Sequence, residues 1–216
     1  SAGLDTVAIR MPNHDITRRL IERSGKMIAA PSANLSGKPS PTTAQDVLED
    51  MGGRIDAIID GGACTFGIES TVIDLTSDVP TILRPGSITK EQIKNVIGEV
   101  TLYTPKKVDK VKSPGLKYKH YAPKAEVIVV EYEKFDSSIV EDGRDVCVIS
   151  LNKLSLKQAN VVMMSSLDEF SQKIYHIFRE CDRNKVKTII VQAPKESDES
   201  FALRNRLQKA ATKIIN

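Results

Sequence analysis

The sequence predicts a two-domain α/β protein, and three observations lead to this prediction. Short apolar segments typical of strands alternate with segments of helical period in both halves of the 216-residue chain. Between the two halves, a segment with many lysines and with proline and glycine interrupts this alternation. Beyond the interruption, the apolar runs contain few polar residues, as in parallel strands covered on both faces. We therefore predict an α/β layer domain at 1–104, a linker at 105–124 and a Rossmann-like α/β domain at 125–216.

In the first domain, predicted strands alternate with capped helices. Thr43 with Asp46, and Thr89 with Gln92, have capping-box spacing. The strands are predicted at 6–10, 26–30, 57–60, 69–75 and 81–84. The helices are predicted to begin at Asn13 or Asp15, at Thr43 and at Thr89, and to end at Gly25, Gly52 and Gly98. Their inward faces are expected to carry Ile16, Leu20 and Ile21 in the first helix and Val47, Leu48 and Met51 in the second.

The second domain repeats the alternation with a more apolar pattern. Its strands are predicted at 126–131, 146–151, 161–164 and 188–192, and its helices at 167–183 and 200–215. No Gly-x-Gly occurs in the chain, so a dinucleotide-binding function has no support.

Composition indicates a soluble cytoplasmic protein. No apolar run approaches the roughly 20 residues that span a bilayer, and no signal peptide opens the chain. The cysteines Cys64, Cys147 and Cys181 are few and widely spaced, which fits a reducing compartment. The three histidines are scattered, which disfavours a zinc site built by the protein. Because the chain starts with Ser1 and runs directly into a strand-like segment, we expect it to be a fragment.

The stretch 28–43 is the first candidate site. An apolar run ends at Pro31, and small hydroxyl and amide residues follow, interrupted by Gly37, Pro39 and Pro41. Such residues form ordinary turns, but the prolines also stiffen the backbone and could hold hydroxyl groups in place for a polar ligand. Spacing alone supports a surface loop and a ligand site equally.

Two further features could bind anions. Residues 61–71 contain half of a Walker A spacing, but Ile68 and Glu69 replace its Lys-Ser/Thr pair, so a P-loop is rejected and a glycine-rich turn remains. Arg10 and Arg84 each end a strand-like run, where a guanidinium can hold a carboxylate or phosphate. Alternatively, Arg10 and Arg84 are ordinary surface residues without a ligand.

The linker carries the net positive charge of the protein. Residues 106–124 contain seven lysines and one aspartate, or +6, which leaves −3 for the remainder of a chain of net charge +3. A solvated linker explains the lysines. Tyr118, His120 and Tyr121 lie among them, however, and aromatic rings favour a segment that docks on an anion or a base.

Four motifs resemble those of the YrdC-like threonylcarbamoyl-AMP synthases. They are residues 29–37, 67–72, 83–86 and 113–123, in that order. The linker and the domain after it resemble the long form of the family, which appends a Rossmann-like domain. The resemblance implies an α/β fold with an incomplete YrdC-like twisted-sheet domain in the first part of this chain.

The resemblance also implies an activity and its partners. The family forms L-threonylcarbamoyladenylate and pyrophosphate from L-threonine, bicarbonate and ATP, with Mg²⁺ carried by the ATP phosphates. The product reaches tRNA through a tRNA threonylcarbamoyl-transfer complex, and a direct tRNA contact is possible. The resemblance implies that threonine is contacted by Arg10, Ala30 and Ser70. It implies that the nucleotide is contacted by Thr6, Ser32, Ser40 and Arg84. It also implies that Tyr121, rather than Tyr118, closes over ATP.

The chain departs from the family pattern at both ends. The N-terminal segment that carries the family's basic ATP-binding motif is missing, so we expect this polypeptide alone to be inactive. Residues 199–203 stand where a glycine-rich turn is expected before Asn205 and Arg206. Two alternatives stay open: a non-catalytic RNA-binding or regulatory module of the same fold, and a carbamoyltransferase acting on a protein.

Overall fold

The computed structural model describes residues 5–104, 121–136, 138–140, 143–154 and 156–216. The linker at 105–124 therefore lies outside the described residues up to His120. The helices are α1 (Asp15–Ser24), α2 (Ala44–Met51), α3 (Lys90–Ile97), α4 (Leu167–Arg183) and α5 (Asp198–Ala210), with a 3-10 turn at Tyr132–Lys134. The strands are β1 (Val72–Asp74), β2 (Thr81–Arg84), β3 (Thr101–Leu102), β4 (Glu126–Val130), β5 (Val146–Ser150), β6 (Asn160–Met163), β7 (Thr188–Gln192) and β8 (Lys213–Ile215).

The second half contains a parallel sheet of five strands in the order β6-β5-β7-β4-β8. Every residue of β5 is buried, as the apolar runs predicted for strands covered on both faces. One side of the core includes Phe170, Ile174 and Phe178 of α4 together with Leu203 and Leu207 of α5. The sheet and these helices form the larger core, and α4 and α5 also contact the first half of the chain.

The last helix ends earlier than predicted. The sequence pattern favoured a helix to Ile215, but α5 ends at Ala210, and Ala211 has extended backbone angles. Residues 213–215 instead form β8 and pair with β4, with Ile214 opposite Val129. Two consecutive β-branched residues favour a strand where an edge is available for pairing.

The first half contains a small mixed sheet. β1 and β2 are antiparallel, and β2 and β3 are parallel. The prediction for 81–84 is confirmed, and the strand predicted at 69–75 is shortened to 72–74. The predicted strands at 6–10, 26–30 and 57–60 are wrong.

These three segments lack ladder pairing within the described ranges, so they are not strands. Their apolar side chains are exposed, including Val7, Ile9, Met27 and Ile59. Alternating polarity shows which side chains could face a core, but a strand also needs backbone partners for its N–H and C=O groups.

Two of the three predicted helix caps in the first half agree with the sequence, whereas the predicted inward faces of α1 and α2 do not. Both capping boxes are present, at Thr43 with Asp46 and at Thr89 with Gln92. Helix α1 begins after His14, whose side chain accepts a hydrogen bond from the N–H of Thr17, rather than after Asn13 or Asp15. Its Ile16 and Leu20 are exposed, as is Leu48 of α2.

The face that α2 buries carries carboxylates. Asp46 and Asp50 are the buried residues of this helix, while Val47 and Met51 are only half-buried. Hydrophobic periodicity cannot predict this orientation, because it is set by arginines more than 120 residues away in the sequence. Across the described ranges, every helix is too short or too polar to cross a membrane.

Candidate functional site

The polar loop before α2 is held in place by a buried ion pair. Asp50 of α2 receives hydrogen bonds from Arg179 of α4 (2.8 Å), from Lys38 (2.6 Å) and from the backbone N–H of Leu35 (3.3 Å). The side chains of Asp50 and Arg179 are 0% and 5% exposed. Burial alone would raise the pKa of Asp50, but the bonds from Arg179 and Lys38 outweigh it and lower the pKa to about 2.

A second arginine extends this contact along the two helices. Arg183 of α4 pairs with Asp46 and donates its Nε–H to Glu49 at 3.0 Å. The other oxygen of Asp46 accepts from the N–H groups of Thr42 and Thr43 at 3.0 and 3.2 Å. The same carboxylate thus caps α2 and joins the loop before it to the second half of the chain.

The glycine-rich turn lies directly on the backbone of α4. A Cβ placed on Gly67 would come within 2.0 Å of the carbonyl oxygen of Gln172. The Gln172 side chain also donates to the carbonyl of Cys64 at 3.2 Å. Only glycine allows this approach, which brings Glu69 close to α4 and α5.

Glu69 is the centre of a cluster of polar side chains from both halves. Its Oε1 accepts from the hydroxyl of Ser40 at 2.7 Å. Its Oε2 accepts from Arg206 Nε at 2.8 Å and from the hydroxyl of Tyr175 at 3.2 Å. Burial would raise the pKa of Glu69, but the charge of Arg206 and the bonds from Ser40 and Arg206 lower it overall, so Glu69 is ionised. We call Ser40, Glu69, Tyr121, Tyr175 and Arg206 the Glu69 cluster.

Arg206 connects the remaining members of the cluster. Its side chain is 1% exposed, and its Nη2 donates to the carbonyl of Pro85 at 2.8 Å. The guanidinium carbon lies 5.4 Å from the centre of the Tyr121 ring. Tyr121 in turn stacks on Tyr175, with ring centres 5.4 Å apart and planes 20° apart.

The backbone of Tyr121 is unusual. It has a φ of +68°, in the left-handed region that bulky residues avoid. Such conformations persist when surrounding contacts enforce them, and they concentrate at functional sites. Here the ring of Tyr121 is fixed by Tyr175 and Arg206.

Arg84 lies beside this cluster at the end of β2. Its Nε donates to the carbonyl of Ser70 at 3.0 Å. Its two terminal nitrogens have no hydrogen-bond partner among the described residues. Burial lowers the pKa of Arg84, Glu69 opposes this effect and Arg206 adds to it. A half-buried guanidinium with two available nitrogens can bind a carboxylate or phosphate.

The structure brings together half of the residues assigned by resemblance. Ser40 and Tyr121 belong to the Glu69 cluster, and Ser70 and Arg84 adjoin it. The other four are exposed and, among the described residues, have no hydrogen bond to the cluster: Thr6, Arg10, Ala30 and Ser32. The roles of all eight in binding stay predictions.

Sequence reasoning missed three members of the cluster. Glu69 lies in the motif 67–72, but no binding or structural contact was predicted for it from the sequence. Tyr175 and Arg206 lie on predicted helices, where a tyrosine or arginine is usually a packing or surface residue. Their partner Glu69 is 106 and 137 residues away, respectively, so no short motif reports the contact. Where side chains are described, no group of three His, Cys, Asp or Glu residues is arranged to hold a metal ion.

Comparison with protein families divides the chain into two matches. Residues 1–86 match the Sua5/YciO/YrdC family model described as "Telomere recombination". Residues 88–212 match the model described as "Threonylcarbamoyl-AMP synthase, C-terminal domain".

Proteins similar to this chain include threonylcarbamoyl-AMP synthases from three organisms. It is 44% identical to that of Pyrococcus abyssi, over 98% of this chain and 65% of the relative. It is 44% identical to that of Bacillus subtilis, over 98% of this chain and 64% of the relative. The relative from Schizosaccharomyces pombe is 35% identical, over 100% of this chain and 59% of its own length. The chain thus spans less than two thirds of the length of each of these proteins.

Solved structures agree with this relationship. P. abyssi Sua5, crystallised with L-threonine, superposes with a TM-score of 0.86 at 44% identity, over 99% of this chain and 66% of that one. A variant of that protein with a histidine and the following tyrosine changed to alanine gives the same TM-score. The similarity supports the α/β fold with one mixed and one parallel sheet. Because the C-terminal-domain model matches residues 88–212, more than half of its length, the chain belongs to the threonylcarbamoyl-AMP synthase C-terminal domain family.

Proposed function

We propose that the protein takes part in the synthesis of L-threonylcarbamoyladenylate from L-threonine, bicarbonate and ATP, with release of pyrophosphate. The observation that carries the proposal is the meeting of Ser40, Ser70, Arg84 and Tyr121 around Glu69. The resemblance assigned Ser70 to threonine binding and Ser40, Arg84 and Tyr121 to nucleotide binding. The names of the synthase relatives support the adenylate product, and the Sua5 structure with L-threonine supports threonine as a substrate.

In this proposal the nucleotide lies beside Arg84 and Tyr121. The free nitrogens of Arg84 bind phosphate oxygens, and the ring of Tyr121 covers the site. Thr6 and Ser32 complete the nucleotide contacts, and Ser70, with Arg10 and Ala30, binds threonine. His120–Tyr121 is the only His-Tyr dipeptide in the sequence. The Sua5 variant also has a histidine and the following tyrosine replaced, which supports the choice of Tyr121 for this role.

Mg²⁺ enters this site as part of the ATP substrate. Three hydrogen bonds, from Ser40, Tyr175 and Arg206, already engage the Glu69 carboxylate, so the proposal gives it no role as a metal ligand. The phosphates and water would hold the ion.

The reaction needs positioning more than a strong acid or base. The threonine amine attacks the bicarbonate carbon and a C–O bond breaks to release water, which gives a carbamate. A carbamate oxygen then bonds to the α-phosphorus of ATP as the bond to pyrophosphate breaks. A guanidinium at the phosphates stabilises the charge that develops in this step, and binding both substrates together removes an entropic barrier. The carbamate and its mixed anhydride hydrolyse readily, so a covering tyrosine that excludes water protects them. In the proposal, the product then passes to a tRNA threonylcarbamoyl-transfer complex in the cytoplasm.

Calorimetry with each substrate tests the proposal. We expect measurable binding of ATP and of L-threonine, and loss of at least about tenfold in ATP affinity in Arg84→Ala, because a charged hydrogen bond is worth about 1.5–3 kcal/mol. Arg144→Ala, which removes an exposed arginine outside the site, is the control and should bind ATP as the wild type does. Steeply salt-dependent binding of tRNA without binding of either small substrate would contradict the proposal and favour an RNA-binding module.

A further inference from the structure

We propose that Arg206 is a positioning residue of the nucleotide site: by pairing with Glu69, it leaves the guanidinium of Arg84 free to bind phosphate. The inference rests on the proposed function and adds to it a residue from the second half of the chain. It also predicts which chemical group of the nucleotide can lie against Ser40.

Glu69 interacts electrostatically with two arginines and, among the described residues, is bound by one of them. Arg206 makes the direct contact, at 2.8 Å. Arg84 is held next to it, because its Nε bonds to the carbonyl of Ser70, the residue that follows Glu69. Opposite charges attract more strongly in a partly buried site than in water. Without Arg206, the ionised carboxylate would draw the free end of Arg84 towards itself and away from a ligand.

Arg206 cannot reach a ligand itself. Its side chain is 1% exposed, one terminal nitrogen is bonded to Pro85, and its Nε is bonded to Glu69. The guanidinium also lies under the ring of Tyr121. Its effect on the nucleotide is therefore indirect, through the charge of Glu69 and the positions of Arg84 and Tyr121.

The ion pair also fixes the hydrogen-bonding role of Ser40. An ionised carboxylate only accepts hydrogen bonds, so Ser40 must donate its single proton to Glu69 across the 2.7 Å contact. The hydroxyl oxygen of Ser40 is left as an acceptor. A ligand group against it must be a donor, such as a ribose hydroxyl, and cannot be a phosphate oxygen. This places the phosphates towards Arg84 and the sugar towards Ser40.

A double-mutant cycle with ATP titrations tests the role of Arg206. Arg206→Met is expected to weaken ATP binding about tenfold, because Glu69 then competes for Arg84. In Glu69→Gln/Arg206→Met the competing charge is gone, and affinity should recover at least about fivefold relative to Arg206→Met. Arg206→Lys keeps the charge and should lose less than about threefold. The control is Arg204→Met on the same helix, whose ion pair with Glu131 lies outside the cluster.

Several outcomes would overturn the inference. If the ion pair serves only the fold, the double variant should bind ATP as weakly as Arg206→Met. If the ion pair has no effect on the site, Arg206→Met should bind ATP as the wild type does. Should Arg206→Met fail to fold, the lysine and double variants decide, because more than tenfold loss in either contradicts the mechanism. If the wild-type protein itself does not bind ATP, the proposed function fails instead.

Discussion

Replacement of Arg179 by alanine is expected to lower the free energy of unfolding by about 3–5 kcal/mol, because it leaves a buried carboxylate without its main partner. Asp50 is 0% exposed, and its remaining partners are the backbone N–H of Leu35 and Lys38, whose side chain is 39% exposed. The variant also loses the 2.6 Å hydrogen bond from Arg179 to the carbonyl of Pro39. Urea unfolding followed by circular dichroism would measure the change.

Lys173→Ala is the matched control for this experiment. Lys173 is an exposed cation on the same helix and pairs with Glu169 one turn away. Such a pair is worth about 0.3–0.5 kcal/mol, so the control should be nearly as stable as the wild type. Equal stability of the two variants would show that the Asp50–Arg179 pair does not hold the polar loop against α4.

Replacement of Gly67 by alanine is expected to reduce both stability and ATP binding. The added methyl group would lie 2.0 Å from the carbonyl oxygen of Gln172 and 2.5 Å from that of Ser171, and helix backbone cannot yield easily. Overpacking of this kind costs about 1–3 kcal/mol. The turn would move off α4 and carry Glu69 away from Arg206, so ATP affinity should fall by about tenfold or more.

Gly143→Ala is the control for this second variant. The nearest atoms to its added methyl group are side-chain atoms at 3.4 Å, and the loop can adjust. Thermal unfolding and calorimetry on both variants would separate the two effects. Wild-type ATP affinity in a folded Gly67→Ala protein would contradict a site that depends on close contact between the two halves.

Local signals in the sequence predict much of the second half. The strand cores at 126–130, 146–150 and 188–192 are apolar runs of a length that suits a covered parallel strand, and all three form. The helix caps at Thr43 and Thr89 depend on residues three positions apart, so both capping boxes can be predicted from the local sequence. The predicted division into domains at 1–104, 105–124 and 125–216 stays a prediction.

Strand pairing and side-chain burial that depend on residues distant in the sequence cannot be predicted from such local signals. The segment 26–30 has the composition of a strand, yet whether it pairs depends on other backbone, and no partner is present in the described part of the chain. The buried face of α2 depends on Arg179 and Arg183, and the role of Glu69 depends on Arg206. Motif resemblance located Ser40, Ser70, Arg84 and Tyr121, but the residues that hold them in place belong to long-range ion pairs.

The most direct test of a nucleotide site built from both halves is a crystal structure of the protein with ATP and L-threonine. It should show a terminal nitrogen of Arg84 about 2.7–2.9 Å from a phosphate oxygen, with Arg206 still paired to Glu69 and a ribose hydroxyl donating to Ser40. A nucleotide bound away from these residues, or one whose phosphates are held while Arg84 turns to Glu69, would contradict the site.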